Sequence, residues 1–133
     1  MPEIHGKANL YYHLRFFYNS FILLIGSYGE VADFVNRTYS ISELQTILSP
    51  IFVAHGVKRA VLFGPYAKGS ATPRSDVDLL VDSGLRGLAF FGLLDSVASA
   101  LDTPVDLIDT SQIERGSQIE QEVSKNGVNI FEQ

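Results

Sequence analysis

The segment Asp76-Val77-Asp78-Leu79-Leu80-Val81 constrains the fold more than any other stretch of the chain. Read as a strand, it sets Asp76, Asp78 and Leu80 on one face and Val77, Leu79 and Val81 on the other. The apolar residues anchor the strand in a core and hold the carboxylates rigidly. Two carboxylates spaced i, i+2 on one face repel each other, an arrangement that selection for stability alone would avoid. A divalent cation removes the objection. Hard Mg2+ takes oxygen ligands and is commonly held by one or two carboxylates together with substrate phosphates.

The flanking sequence supplies further strands and the helices to cover them. Ser40-Ile41-Ser42-Glu43 is a capping-box signature, a hydroxyl at the N-cap with a glutamate three residues on. The helix it opens uses Ile41, Leu44, Ile47, Leu48 and Ile51 as an apolar stripe. Pro50 is expected to kink or restart it, and Gly56 to end it. Lys58 to Phe63 reads as a strand. Leu88 to Leu101 reads as a helix with Phe91, Leu94, Val97 and Leu101 on one stripe, and Val105 to Ile108 as a third strand. Thr110 or Ser111 is expected to cap a last helix running to about Lys125, with Asn126-Gly127 as its stop and Val128 to Phe131 as a short final strand. Strands alternating with helices define an α/β or α+β fold, with helices packed on a sheet.

Asp106 repeats the logic of the acidic pair, sitting between Val105 and Leu107 in a short apolar strand. If the two strands are neighbours, three carboxylates surround one or two metal ions, and two ions roughly 4 Å apart can activate an attacking oxygen and stabilise a leaving group. Upstream, Gly64-Pro65 follows a strand and opens a short helix. Such a turn exposes backbone N–H groups and the positive end of a helix dipole to a phosphate, and Gly64 allows close approach. Pro65 suits the first turn of a helix. Lys68 and Arg74 are nearby cations able to neutralise phosphate charge; the competing reading makes them solvated loop charges. Tyr66 is read as packing the short helix and Asp82 as a turn residue at the strand end.

These residues resemble the nucleotidyltransferases with a DNA-polymerase-β-type catalytic fold. That signature is Gly-Ser, ten residues, Asp-x-Asp, with a third carboxylate on a later strand. Here it reads Gly64-Pro65, ten residues from Tyr66 to Ser75, Asp76-Val77-Asp78, and then Asp106. The likeness runs from Ser40 to about Phe131 and is strongest to the minimal nucleotidyltransferase (MNT) group encoded beside HEPN-domain partners. It implies a small mixed β-sheet with flanking helices, Mg2+ (two ions) as cofactor and ATP as substrate. By position, Asp76, Asp78 and Asp106 hold metal and carry catalysis, Asp106 also helping to deprotonate the acceptor hydroxyl. Gly64, Pro65, Lys68 and Arg74 line the nucleotide. It further implies transfer of AMP to a tyrosine of a HEPN toxin, which silences the toxin's RNase activity. One position departs from the pattern: the family serine is Pro65, which offers neither hydroxyl nor N–H, and the loss of one preorganised donor typically costs about 10²–10³ in rate. A weakened enzyme, or one that neutralises its partner by binding alone, is the alternative. Transfer to a small molecule is a third reading, disfavoured because the chain is short for an added substrate domain.

Composition narrows the remaining classes. The net charge of −5 argues against non-specific nucleic-acid binding. The absence of cysteine excludes disulfides and thiolate metal sites and fits a reducing cytoplasm, the expected location. His5, His13 and His55 show no ligand-type spacing. Residues 1–37 hold eight of the fifteen aromatics and no net charge. They read as an N-terminal extension of uncertain structure to a domain spanning 38–133. Their apolar run, Leu14 to Ile25, is interrupted by Arg15 and Asn19 and is too short for a membrane span, which needs about 20 apolar residues.

Overall fold

The computed structural model describes residues 38–133; the expected extension, its apolar run, His5 and His13 lie outside the described residues. Tyr39–Gln133 forms one compact unit. Its elements, in chain order, are α1 (Ile41–Ala54), β1 (Arg59–Phe63), α2 (Gly64–Lys68), β2 (Val77–Asp82), α3 (Gly87–Leu101), β3 (Val105–Asp109), a 3-10 turn (Thr110–Gln112), α4 (Gln118–Asn126) and β4 (Val128–Glu132). The four strands form one sheet in the order β3-β2-β1-β4. β1 runs antiparallel to both β2 and β4, and β2 runs parallel to β3, so the sheet is mixed. This is the α/β architecture with flanking helices expected from the sequence.

The strand alternation divides the work of the sheet. Cross-strand partners share a face. Ala60, Leu62, Val77, Leu79, Val81, Val105 and Leu107 are all buried and form one side of the core. α1 and α3 close that side with Leu44, Leu48 and Phe52 from the first helix and Leu93, Leu94, Val97 and Leu101 from the second. Phe52 meets Phe131 of β4 with ring centroids 5.2 Å apart. The other face carries Phe63, Asp78 and Asp106, which are partners in successive strand registers. α4 covers part of this face: a Cβ built on Gly127, just beyond its end, would lie 2.9 Å from Cγ1 of Val61 on β1.

The capping box forms as expected. Ser40 Oγ accepts the Glu43 N–H at 3.0 Å, and Glu43 Oε1 accepts the Ser40 N–H at 3.1 Å. Three details differ from the sequence expectation. Of the two outcomes expected at Pro50, a restart does not occur, and α1 runs on through it. Pro50 and Thr46 are both on the exposed side, where water can take the carbonyl that the missing N–H leaves unbonded. The buried stripe of α1 is Leu44, Leu48 and Phe52, with Ile41, Ile47 and Ile51 half-buried at its edges. In α3, Leu93 and Ala98 join the core, and Phe91 is 43% exposed.

The last helix also begins later than expected. Thr110–Gln112 is a 3-10 turn capped by Asp109, whose side chain accepts the Ser111 N–H. A loop containing Gly116 at φ +82° separates it from α4. The cap of α4 is Ser117, which accepts the Glu120 N–H at 3.3 Å. Among the described residues no helix is long and apolar enough to cross a membrane.

Candidate nucleotide and metal site

The acidic centre sits where three strands meet one helix start. Asp78 on β2 is the register partner of Phe63 at the end of β1 and of Asp106 on β3. In-register residues on neighbouring strands project to the same side, so the sheet brings Asp78 and Asp106 together. Asp76 lies immediately before β2 and is exposed. Val77 between the two acids is fully buried and pins the strand.

Gly64 closes the site from the side of β1. It opens α2 with φ +70°, a conformation that glycine adopts without steric penalty. A Cβ placed on it would lie 2.2 Å from Oδ2 and 3.0 Å from Cγ of Asp78. The carboxylate of Asp78 therefore packs directly on the bare Cα of the turn. Pro65 follows in the first turn of α2, where its missing N–H is one of those a helix leaves unpaired. The turn is fixed from below by Tyr66, 5% exposed, as the packing expectation required. Burial raises the pKa of the Tyr66 hydroxyl, opposed by the backbone N–H of Tyr39 that it accepts.

The electrostatics of the site record the crowding of like charge. Burial pushes the Asp78 carboxyl up to about 7, reinforced by the negative charges of Asp106, Asp76 and Glu122. Burial also raises Asp76. Among the described residues, no three His, Cys, Asp or Glu side chains already converge as a metal-binding group. The donor set nonetheless suits a hard divalent ion. It is all oxygen and contains no thiolate or imidazole, and a cation would offset the negative charge crowded about Asp78.

The two cations differ in setting. Lys68, at the end of α2, forms a 2.9 Å ion pair with Glu122 of α4. Arg74 is exposed in the loop before β2, where Thr72 and Ser75 form a compact turn. Asp82 is exposed and ends β2 opposite Arg59, a paired strand residue and not the turn residue expected. His55 is bonded through Nε2 to Ser96 Oγ at 3.2 Å.

Glu122 is the residue near the site that the sequence reading missed. Only the docking of α4 beside α2 brings it near Asp78, and a glutamate on a polar helix face carries no local signal of such a neighbour. Its spacing three residues after Ile119 and one before Val123 offers no hint of which strand the helix will cover.

Against this geometry, a sequence model of the polymerase beta, nucleotidyltransferase family matches residues 45–133. The chain belongs to that family. A Methanocaldococcus jannaschii protein, proposed by its name to be a protein adenylyltransferase, is 44% identical over 45 residues, covering 34% of this chain and 48% of that relative. The chain thus spans about half the length of that curated relative. Among solved structures, a toxin–antitoxin crystallised with AMP-PNP is similar at a TM-score of 0.57 and 26% identity, covering 67% of this chain and 73% of that one. The structure of a tri-AMPylated Shewanella oneidensis HEPN toxin in complex with its MNT antitoxin matches at a TM-score of 0.53 and 23% identity, covering 70% of this chain and 73% of that one, a likeness of fold.

Proposed function

We propose that residues 38–133 form a minimal nucleotidyltransferase domain that transfers AMP from ATP to a hydroxyl of a partner protein, and that the partner is a HEPN-type toxin for which this chain is the antitoxin. The observation that carries the chemistry is the register of Asp78 with Asp106, together with the packing of Asp78 on Gly64 at the start of α2. The toxin–antitoxin similar in fold was crystallised with AMP-PNP, an analogue of ATP, which supports the nucleotide and the biological setting. The name of the archaeal relative supports a protein acceptor.

In this reading Asp76, Asp78 and Asp106 would hold Mg2+, and the metal would supply charge neutralisation for the triphosphate. The unpaired N–H groups at the start of α2 receive phosphate oxygens beside Gly64, where there is no side chain to keep them away. Lys68 and Arg74 meet the outer phosphates. The acceptor oxygen bonds to the α-phosphorus as the bond from that phosphorus to the bridging oxygen of the β-phosphate breaks. Pyrophosphate departs with the bonding pair, and the hydroxyl proton passes to the Asp106 carboxylate. Such a reaction asks the protein chiefly for positioning and charge stabilisation. Incubation with ATP, Mg2+ and the neighbour-encoded partner is expected to add about 329 Da, AMP less water, to that partner. An unchanged partner mass, with the Shewanella pair active in parallel, removes the enzymatic reading.

Pro65 favours a second reading, neutralisation of the partner by binding alone. It withholds the hydroxyl and the N–H that the family serine gives to the phosphates. Asp76→Asn combined with Asp78→Asn separates the two: neutralisation that survives this change is independent of transfer, and neutralisation that is lost requires it.

A further inference from the structure

Glu122 and Lys68 belong to elements that are distant in sequence but adjacent beside the acidic centre. α4 packs on β1 and on α2, and its closing Gly127 lies so close to the sheet that a Cβ there would fall 2.9 Å from Val61 Cγ1. Glu122 is thereby fixed over the end of α2. Its Oε1 meets Lys68 Nζ at 2.9 Å, and its Oε2 accepts from Asn126 Nδ2 at 3.4 Å. The glutamate is held from both sides, near enough to Asp78 to repel its charge. Lys68 is tied by this ion pair, and an ammonium has three donors.

We infer that Glu122 is a positioning residue for nucleotide binding: it anchors the Lys68 ammonium at the rim of the acidic centre, so that the remaining donors of Lys68 meet a non-reacting phosphate of the triphosphate. This rests on the reading of the site as a nucleoside triphosphate site. An unanchored lysine has a long, flexible stem and loses rotamer freedom on engaging phosphate. A glutamate that has already fixed it lowers that loss. The opposite effect is also physically available, because a carboxylate beside a triphosphate repels it, and so the sign of the Glu122 effect is decisive.

The test is the affinity of the full chain for AMP-PNP with Mg2+, measured calorimetrically for the native protein, Lys68→Met, Glu122→Ala, Glu122→Gln and the double variant Lys68→Met with Glu122→Ala. Lys68→Met is expected to weaken binding about tenfold or more, the scale of a lost charge-assisted hydrogen bond. Glu122→Ala is expected to weaken it by about threefold to tenfold, with Glu122→Gln intermediate because its amide oxygen still accepts from Lys68. The double variant is expected to bind as Lys68→Met alone, since Glu122 acts only through the lysine. In transfer assays KM for ATP rises and kcat holds. A purely structural role for Glu122 would instead lower the melting temperature and leave the cycle additive. Unchanged or tighter binding in Glu122→Ala, or additive losses in the double variant, overturns the inference while native binding leaves the site reading intact. Native protein that binds no AMP-PNP overturns both.

Discussion

Gly64 and Asp78 share space that only one side chain can occupy. The carboxylate of Asp78 lies where the Cβ of any other residue at position 64 would project, 2.2 Å from Oδ2, and the +70° φ of Gly64 turns the chain at that point. The bare Cα of Gly64 thus makes room for the acid. Gly64→Ala is expected to retain the fold at a cost of about 1–2 kcal/mol from the left-handed conformation. It is also expected to displace the Asp78 carboxylate and remove nucleotide binding. Thermal melts and AMP-PNP titration on one preparation separate the two effects; native affinity in the variant would show that the carboxylate yields freely.

Asp78 carries an electrostatic cost to the fold. Its pKa is raised, from 3.8 in an unstructured chain to about 7, first by burial and then by Asp106, Asp76 and Glu122. A group raised in this way stabilises the fold below its unfolded pKa, and that contribution is lost as pH rises through the folded value. Metal-free protein should therefore weaken between about pH 4 and pH 7. At pH 7.5, Asp78→Asn is expected to raise the melting temperature of metal-free protein while abolishing transfer, and Mg2+ is expected to stabilise the native chain alone. A variant that melts lower than native without metal contradicts the assignment.

Asp109 makes the opposite contribution. It is 3% exposed and accepts the Ser83 N–H at 3.0 Å and the Ser111 N–H at 2.9 Å, with both hydroxyls added. Burial raises its pKa, but the hydrogen bonds from Ser111 and Ser83 outweigh it, and the net shift is downward. Its stabilisation is full above the unfolded value of 3.8 and is lost as pH falls through the lower folded value. Asp109→Asn is expected to lose about 1–3 kcal/mol at pH 7. The gap to the native protein should narrow on acidification below pH 4, as followed by urea unfolding. A gap constant from pH 7 to pH 2 would place the role of Asp109 in packing alone.

Gly127 offers a structural control. Gly127→Ala drives a methyl into the Val123 carbonyl and Val61, and overpacking of this kind costs about 1–3 kcal/mol. Displacing α4 also moves Glu122, so AMP-PNP affinity is expected to fall with stability. Gly56→Ala, at φ +71° with open space around it, should cost stability without touching affinity.

How much of this was legible beforehand follows from the range of each signal. The alternation in Asp76–Val81, the capping box at Ser40 and the Gly64-Pro65 turn are local, and each sits where its own residues placed it. The register of Asp78 with Asp106 could be framed only as a condition, because strand neighbours are chosen by the whole sheet. The i, i+3 spacing fits Phe91 as well as it fits Leu94, yet the buried face of α3 is Leu93, Leu94, Val97, Ala98 and Leu101. The start of α4 was read too early because Thr110 and Ser111 are competent caps. Asp109, buried beneath them, recruits Ser111 into a single 3-10 turn instead. The helix itself starts from its cap at Ser117, whose hydroxyl accepts the Glu120 N–H.

The gathering of Asp76, Asp78 and Asp106 around a divalent ion is best tested by crystals grown with AMP-PNP and Mn2+ in place of Mg2+, with anomalous scattering used to locate the metal. The account predicts a peak between β2 and β3 within roughly 2.0–2.4 Å of carboxylate oxygens of Asp78 and Asp106, joined by Asp76 and phosphate oxygens. Nucleotide bound with no anomalous peak at these carboxylates, or a peak whose ligands lie elsewhere on the chain, would contradict it.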